Sequence, residues 1–218
     1  MAKSQVDLGR LAPAAYAFDF TGGRLCLDFV NTAGGTRQAP KEHLNTYADL
    51  VSWGRQAGVL DEPDAQRLAQ LAKRRPDEAG RTLAAAVTLR EAMFRIFSGA
   101  AECQPQRDDD MMNFNTALSR ALAHVRLQAT PQGCVDLWGD GEDDLDRMLW
   151  PALRSAMDVL TSEDERTRVH KCENPTCDWL FLDTSRNHSR RWCDMKSCGN
   201  RAKARRYYTR HKHKDVRE

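Results

Sequence analysis

Four of the seven cysteines, Cys172, Cys177, Cys193 and Cys198, fall within 27 residues. They form two pairs, each with four intervening residues, and fifteen residues separate the pairs. Two short loops that each present two thiolates can close a tetrahedron on one Zn²⁺, with metal–sulfur bonds of about 2.3 Å. The four-residue gap is wider than the common two-residue gap but lies within the range of structural zinc sites. The competing reading is four reduced, buried thiols. Met1–Phe20 has no apolar stretch long enough for a secretory signal. No run approaches the roughly 18 apolar residues that suggest a membrane span. We therefore expect a cytoplasmic, reducing setting and no membrane partner, and there paired cysteines are metal ligands rather than disulfides. Cys26, Cys103 and Cys134 are scattered and read as small apolar core residues.

Charge divides the chain at the same place. Residues 1–166 carry 19 Lys and Arg against 25 Asp and Glu, while residues 167–218 carry 14 against 6. A mildly acidic body thus bears a strongly basic tail, an asymmetry that favours a polyanionic partner over a merely solvated terminus. The expected division is a body over 1–166 and a small module over 167–218. Hydrophobic residues make up 41% of the 218 positions, enough for a buried core in the body.

The body reads as mainly α. Residues 1–17 show no period and read as a loose arm. Leu25–Thr32 is ambiguous between strand and helix, and we favour a helix closed by Ala33-Gly34-Gly35. Asn45 is the expected cap of a helix over Thr46–Ala57, stopped by Gly58, and Asp61 caps the next as far as Arg74. Asp77–Cys103 places Leu83, Ala86, Val87, Arg90, Met93, Phe94 and Phe97 at three- and four-residue steps. A further helix starts at Asp108–Asp110 and runs through Leu122. Val125–Ala129 and Val135–Trp138 alternate as a hairpin across Thr130-Pro131-Gln132-Gly133. Glu142–Leu160 is periodic, with Pro151 expected to kink or split it. Thr161–Arg166 reads as a hinge into the tail.

The tail reads as knuckle, hairpin and helix, the order of a treble-clef-like zinc module. Asn174-Pro175 suits the first ligand turn. Trp179, Phe181 and Leu182 are expected to pair with Arg191-Trp192 as the hairpin, and Asp194–Cys198 forms the second ligand turn. Gly199 to about Lys212 is rich in Ala, Arg and Lys, a helix by propensity. Its cations, Arg201, Lys203, Arg205, Arg206, Arg210 and Lys212, occupy nearly every side, with only Ala202, Tyr207 and Tyr208 left to pack on the zinc core. Phosphate contacts from such a surface release counterions and supply affinity independent of sequence. Arg186, Arg190 and Arg191 are placed to clamp the backbone beside it. DNA is therefore the expected partner, against a solvated surface for each residue taken singly. A module this small folds on its metal, so losing Cys198 is expected to unfold 172–212 and leave the body intact.

Cys198-Gly199-Asn200-Arg201, preceded by the Cys172–Cys177 pair and Trp192-Cys193, resembles the CGNR zinc finger family. Gly23-Arg24-Leu25-Cys26-Leu27-Asp28-Phe29-Val30-Asn31-Thr32 resembles the opening of the ABATE-type domain that precedes that finger. The two resemblances sit at opposite ends of the chain and imply a bacterial, stress-induced transcription regulator that holds one structural zinc ion. Within the motif, Gly199 allows close backbone approach and Asn200 is expected to bond the knuckle backbone or a cysteine sulfur. Arg201 is open between a phosphate contact and an internal brace to Asp194 or Asp183.

Three function classes compete. The leading one is a zinc-dependent DNA-binding regulator, whose body either senses a small effector near Asp28, Asn31 and Trp53 or forms a homodimer. Against the effector site stands a plainer reading, in which Asp28 and Asn31 cap helices and Trp53 is core. The alternative class is a zinc-stabilised protein-interaction module without direct DNA binding. A metal nuclease, the third, needs a catalytic His and an open coordination position, and four cysteine ligands leave none. The chain is accordingly read as not an enzyme.

Overall fold

In the computed structural model, residues 16–102, 104–139 and 141–212 are described, the last three by backbone only. The arm expected over 1–17 falls mostly outside them. Six residues, Leu25–Val30, form α1 and carry the centre of the core: Cys26, Leu27, Phe29 and Val30 are fully buried. A hairpin follows that the Gly-Gly stop concealed, with β1 (Ala33–Thr36) antiparallel to β2 (Ala39–Glu42). Gly35 turns it at φ +73°, where an added Cβ would lie 2.7 Å from the Ala39 carbonyl oxygen. Helix α2 (Tyr47–Gln56) is capped by Thr46 rather than by Asn45. The Asp49 amide donates to the Thr46 hydroxyl at 3.2 Å and the Thr46 amide donates to the Asp49 carboxylate at 2.8 Å, a reciprocal capping box.

Asp61 caps α3 (Glu62–Arg74) as expected, with Pro63 in its first turn. The longest helix, α4 (Pro76–Ala101), spans about 39 Å at 1.5 Å per residue. It packs against α5 (Asp108–Leu122), and both lie on α6 (Trp150–Thr161) or its neighbours. Between α5 and α6, β3 (Val125–Thr130) and β4 (Gly133–Trp138) pair from Val125↔Trp138 to Thr130↔Gly133, the hairpin read from the alternation. Of the three scattered cysteines, Cys26 is core as expected. Cys134 is exposed instead, because both strands of this hairpin stand mostly in solvent, and Cys103 lies outside the described residues. The helix expected over Glu142–Leu160 is shorter. Its beginning is irregular, one 3₁₀ turn covers Arg147–Leu149, and α6 starts at Trp150. Pro151 sits in the first turn of α6, where its missing N–H is not needed, so it starts a helix instead of kinking one.

The expected hinge at Thr161–Arg166 is a fixed corner. Ser162 caps α7 (Glu163–Thr167), Arg24 pairs with Glu165, and Arg166 donates to the Leu160 carbonyl at 3.2 Å. From there β5 (Val169–Lys171) pairs antiparallel with β6 (Leu180–Leu182). The hairpin therefore joins the strands on either side of the first knuckle. In place of the pairing expected between 179–182 and Arg191-Trp192, the Arg191 carbonyl accepts from the Glu173 amide, within the first knuckle, at 3.0 Å. Alternation along β6 sends its two faces to different cores. Leu180 and Leu182 enter that of the body, and Phe181 enters the cysteine cluster. The fold is mainly helical with small antiparallel hairpins, and no helix of the described residues is long and apolar enough to cross a membrane.

Candidate metal centre

Each cysteine pair is placed by a locally bonded turn. In the first, the Cys172 amide donates to the Trp179 carbonyl at 2.9 Å and the Cys177 amide to the Asn174 carbonyl at 2.8 Å. In the second, the Asp194 carboxylate accepts from the Ser197 amide at 2.7 Å and caps a π-helical turn over Met195–Gly199. Burial raises the Asp194 carboxyl, but bonds from Lys196 and Ser197 outweigh it and hold the group ionised. The turn runs directly into α8 (Asn200–Lys212). At Gly199 the backbone passes close to Met195: an added Cβ would lie 2.8 Å from the sulfur of that exposed, flexible side chain, which would have to move aside.

The four sulfurs lie within 4.8 Å of one another, and all four residues are buried. Cys177 and Cys193 stand 3.8 Å apart, Cys193 and Cys198 3.6 Å. A tetrahedron with about 2.3 Å metal–sulfur bonds has edges of about 3.8 Å. A disulfide needs about 2.05 Å. The residues thus fit one zinc ion. Three of the thiols are tightly coupled: bonds from Cys177 and Cys193 lower Cys172, while bonding to Cys172 raises Cys177 and Cys193. A dication here would be held by Cys172, Cys177, Cys193 and Cys198 as thiolates and would favour their deprotonation.

Of the two asparagine side chains, it is that of Asn174, not Asn200, that donates to a sulfur. The Asn174 side-chain amide reaches Cys198 Sγ at 3.2 Å, and its oxygen accepts from Thr176. Asn200 turns instead to the Lys196 carbonyl at 3.0 Å. The only sequence signal for Asn174 is its place beside Pro175 inside the knuckle. Arg201 braces neither Asp194 nor Asp183; it is exposed and lies 3.5 Å from the Ser197 carbonyl.

The candidate DNA-contact residues separate into two groups. Arg190 faces inward. Its guanidinium donates to Trp192 (3.0 Å), Leu182 (3.3 Å), Thr21 (2.8 Å) and Cys193 carbonyls, and it lies 4.3 Å over the Phe181 ring. With these donors committed to carbonyls, it ties the finger to the body. Arg191 is exposed but paired with Glu173 and stacked on Trp192. Arg186, Arg201, Lys203, Arg205 and Arg206 are exposed, and the side chains of Arg210 and Lys212 lie outside the described residues. Tyr207 and Tyr208 do not pack on the zinc core: they are 59% and 69% exposed. Only Ala202 is half-buried.

Asp28, Asn31 and Trp53 are not brought together around one cavity. Trp53 is fully buried against Phe29. Asn31 is committed to the backbone of β6: its amide donates to the Leu180 carbonyl at 2.8 Å, and its oxygen accepts from the Leu180 amide at 2.9 Å. Asp28 edges a shallow depression with Phe20, Arg24 and Gln56, and it accepts from the Gly22 amide at 2.8 Å. Burial pushes its carboxyl up to about 6, against the pull of that amide and of Arg190. Because the folded chain holds this proton above the ordinary value of 3.8, the stabilising contribution of the neutral group is lost as pH rises through about 6. Asp28→Asn, which keeps the acceptor, is therefore expected to stabilise the chain, and its advantage should widen by about 1 kcal/mol between roughly pH 5 and 7 and then level off. Urea unfolding of both proteins across that range checks it. An advantage independent of pH would remove Asp28 as the cause.

Sequence reasoning also missed Asp183. It is fully buried, and it accepts from the Ser185 amide at 2.8 Å and the Arg190 amide at 2.9 Å, which sets the loop that delivers Arg190. An isolated Asp in a polar stretch gives no signal for this.

The sequence matches the ABATE family model, described as "Putative stress-induced transcription regulator", over residues 23–163. It matches the CGNR zinc finger model over residues 168–211. Both families are of regulator or zinc-finger type. No curated protein matches the chain.

Proposed function

The chain belongs to the ABATE family and carries a CGNR zinc finger, and on that basis we propose that it is a zinc-dependent DNA-binding transcription regulator rather than an enzyme. In this reading residues 1–166 form a sensing or dimerising body and 167–218 the DNA-contacting module. The observation that carries it is the surface of α8. Arg201, Lys203, Arg205 and Arg206 are all exposed, and among the described residues no carboxylate pairs with any of them. A helix that leaves its cations unneutralised beside an acidic body is free to bind phosphate. A homodimer would present two such helices to two half-sites. The thiol geometry suits a reducing, cytoplasmic location.

The test is fluorescence anisotropy with mixed duplex DNA over a salt series. Binding should weaken steeply with salt. Arg205→Glu with Arg206→Glu should cost about tenfold to a hundredfold in affinity and lower the salt slope by about 2, with one zinc per chain retained. Absence of binding even at low salt would favour the second reading, a zinc-stabilised protein-interaction module. The exposed Tyr207 and Tyr208 support that one, because such aromatics anchor protein contacts.

A further inference from the structure

A cavity of about 320 Å³ opens between α4, α5 and the segment that leads into α6. That volume lies at the lower end of small-molecule sites. Its floor is apolar, formed by Leu89, Leu145, Leu149 and Leu153, all buried on other sides by the body's core. The floor is held in place from beneath: the Tyr47 hydroxyl donates to the Leu145 carbonyl at 2.9 Å. Arg81 and Asn113 stand at the rim, from α4 and α5 respectively. Arg81 shares a helix face with Ala85 and Leu89, four and eight residues on, so its charge stands over the same apolar floor.

The rim also carries acids, and their commitments decide the sign of a ligand. Asp146 pairs with Arg120 at 3.3 Å and accepts from the Trp150 indole at 3.2 Å. Glu78 lies 3.8 Å from Arg75, and Asp144 lies 3.5 Å from the His124 ring, an ion pair only when that ring is protonated. Arg81 has no carboxylate partner among the described residues, and the Asn113 amide has no hydrogen bond there either. Among the described residues the lining groups without a polar partner are thus the Arg81 guanidinium, the Asn113 carboxamide and the half-buried Thr82 hydroxyl, all of which can donate to a carboxylate, above a floor that accepts hydrocarbon. We propose that this cavity binds a small monocarboxylic acid with a compact apolar body, its carboxylate on Arg81 and Asn113. The proposal does not depend on DNA binding.

The probes are phenylacetate, benzoate and hexanoate, with neutral phenylacetamide as control, added to the full-length zinc-loaded protein and followed by the leucine methyl signals in ¹H–¹³C NMR. At least one acid is expected to saturate at millimolar concentration and to shift the Leu89, Leu145, Leu149 and Leu153 methyls. It should bind at least about tenfold more weakly to Arg81→Gln, because a charge-assisted bidentate contact is lost. Asn113→Ala should weaken it less, and phenylacetamide should not distinguish wild type from Arg81→Gln. Arg81 is exposed and has no carboxylate partner among the described residues, so its replacement is expected to leave the melting temperature unchanged. Failure of all three acids to saturate overturns the proposal. So does an affinity for the acids that is the same in Arg81→Gln, or shifts confined to methyls outside the cavity.

Discussion

Removing the zinc, or replacing Cys198 by Ser, is expected to destabilise the entire chain and not the finger alone. The finger has little core of its own beyond the cysteines, Phe181 and two half-buried tryptophans. Its strands belong to the body: Val169, Leu180 and Leu182 are buried in the main core. Backbone bonds cross the junction from Asp178 to Gly35 at 2.9 Å and from Leu182 to Gly22 at 2.7 Å. The Trp179 indole donates to the Ala33 carbonyl at 2.9 Å. A structural zinc site contributes roughly 10–16 kcal/mol of binding energy, and that energy is folding energy where the site does not exist in the unfolded chain. If about 5 kcal/mol of it reaches the body through β5 and β6, the melting temperature falls by about 10–20 °C for a chain of this size. Thermal unfolding followed at 222 nm, with and without chelator, checks this. One cooperative transition displaced downwards is expected. A body transition that stays in place while the tail becomes protease-sensitive would show two independent units.

That expectation reverses the one reached from sequence, and the reason lies in particular residues. The zinc site is legible because ligand spacing is local, and two equal cysteine pairs leave few arrangements. The body's helices are legible where apolar steps of three and four run long, as along α4. Residues 180–182 look like part of a finger hairpin because three residues carry no measurable period, and their partner strand lies across the knuckle. Arg190 looks like a phosphate contact because an arginine among arginines looks solvated. Only the fold reveals four carbonyls converging on it. Arg90 shows the same blindness in reverse. It occupies the apolar stripe of α4 yet is 2% exposed, with its guanidinium on both Glu42 oxygens at 2.7 Å. Neither the charge nor the stripe alone predicts that a two-stranded hairpin will be fastened there. Pro151 misleads for a different reason: proline marks a helix start as readily as a kink, and only the preceding turn decides between them.

Replacing Asn31 by Ala is expected to cost about 2–5 kcal/mol, because it leaves two buried backbone groups of Leu180 without partners at about 1–3 kcal/mol each. Leu180 is fully buried and Asn31 is 3% exposed, so water cannot easily substitute. The amide supplies both a donor and an acceptor to the same residue of β6. A carboxylate in its place would accept from the Leu180 amide but repel the Leu180 carbonyl, so Asn31→Asp should recover little. The consequence reaches the metal. Leu180 is one residue from Phe181, which packs on the cysteines, and three from Cys177. Loosening β6 should therefore speed zinc transfer to a chromogenic chelator as well as lower the unfolding midpoint in urea. Faster zinc transfer at an unchanged midpoint would confine the role of Asn31 to the finger. An unchanged midpoint with unchanged transfer would mean that the junction does not couple the two cores through this amide. Both quantities moving together would mark Asn31, next to last in the Gly23–Thr32 motif that opens the body, as one of the contacts that couple the stability of the body to that of the metal site.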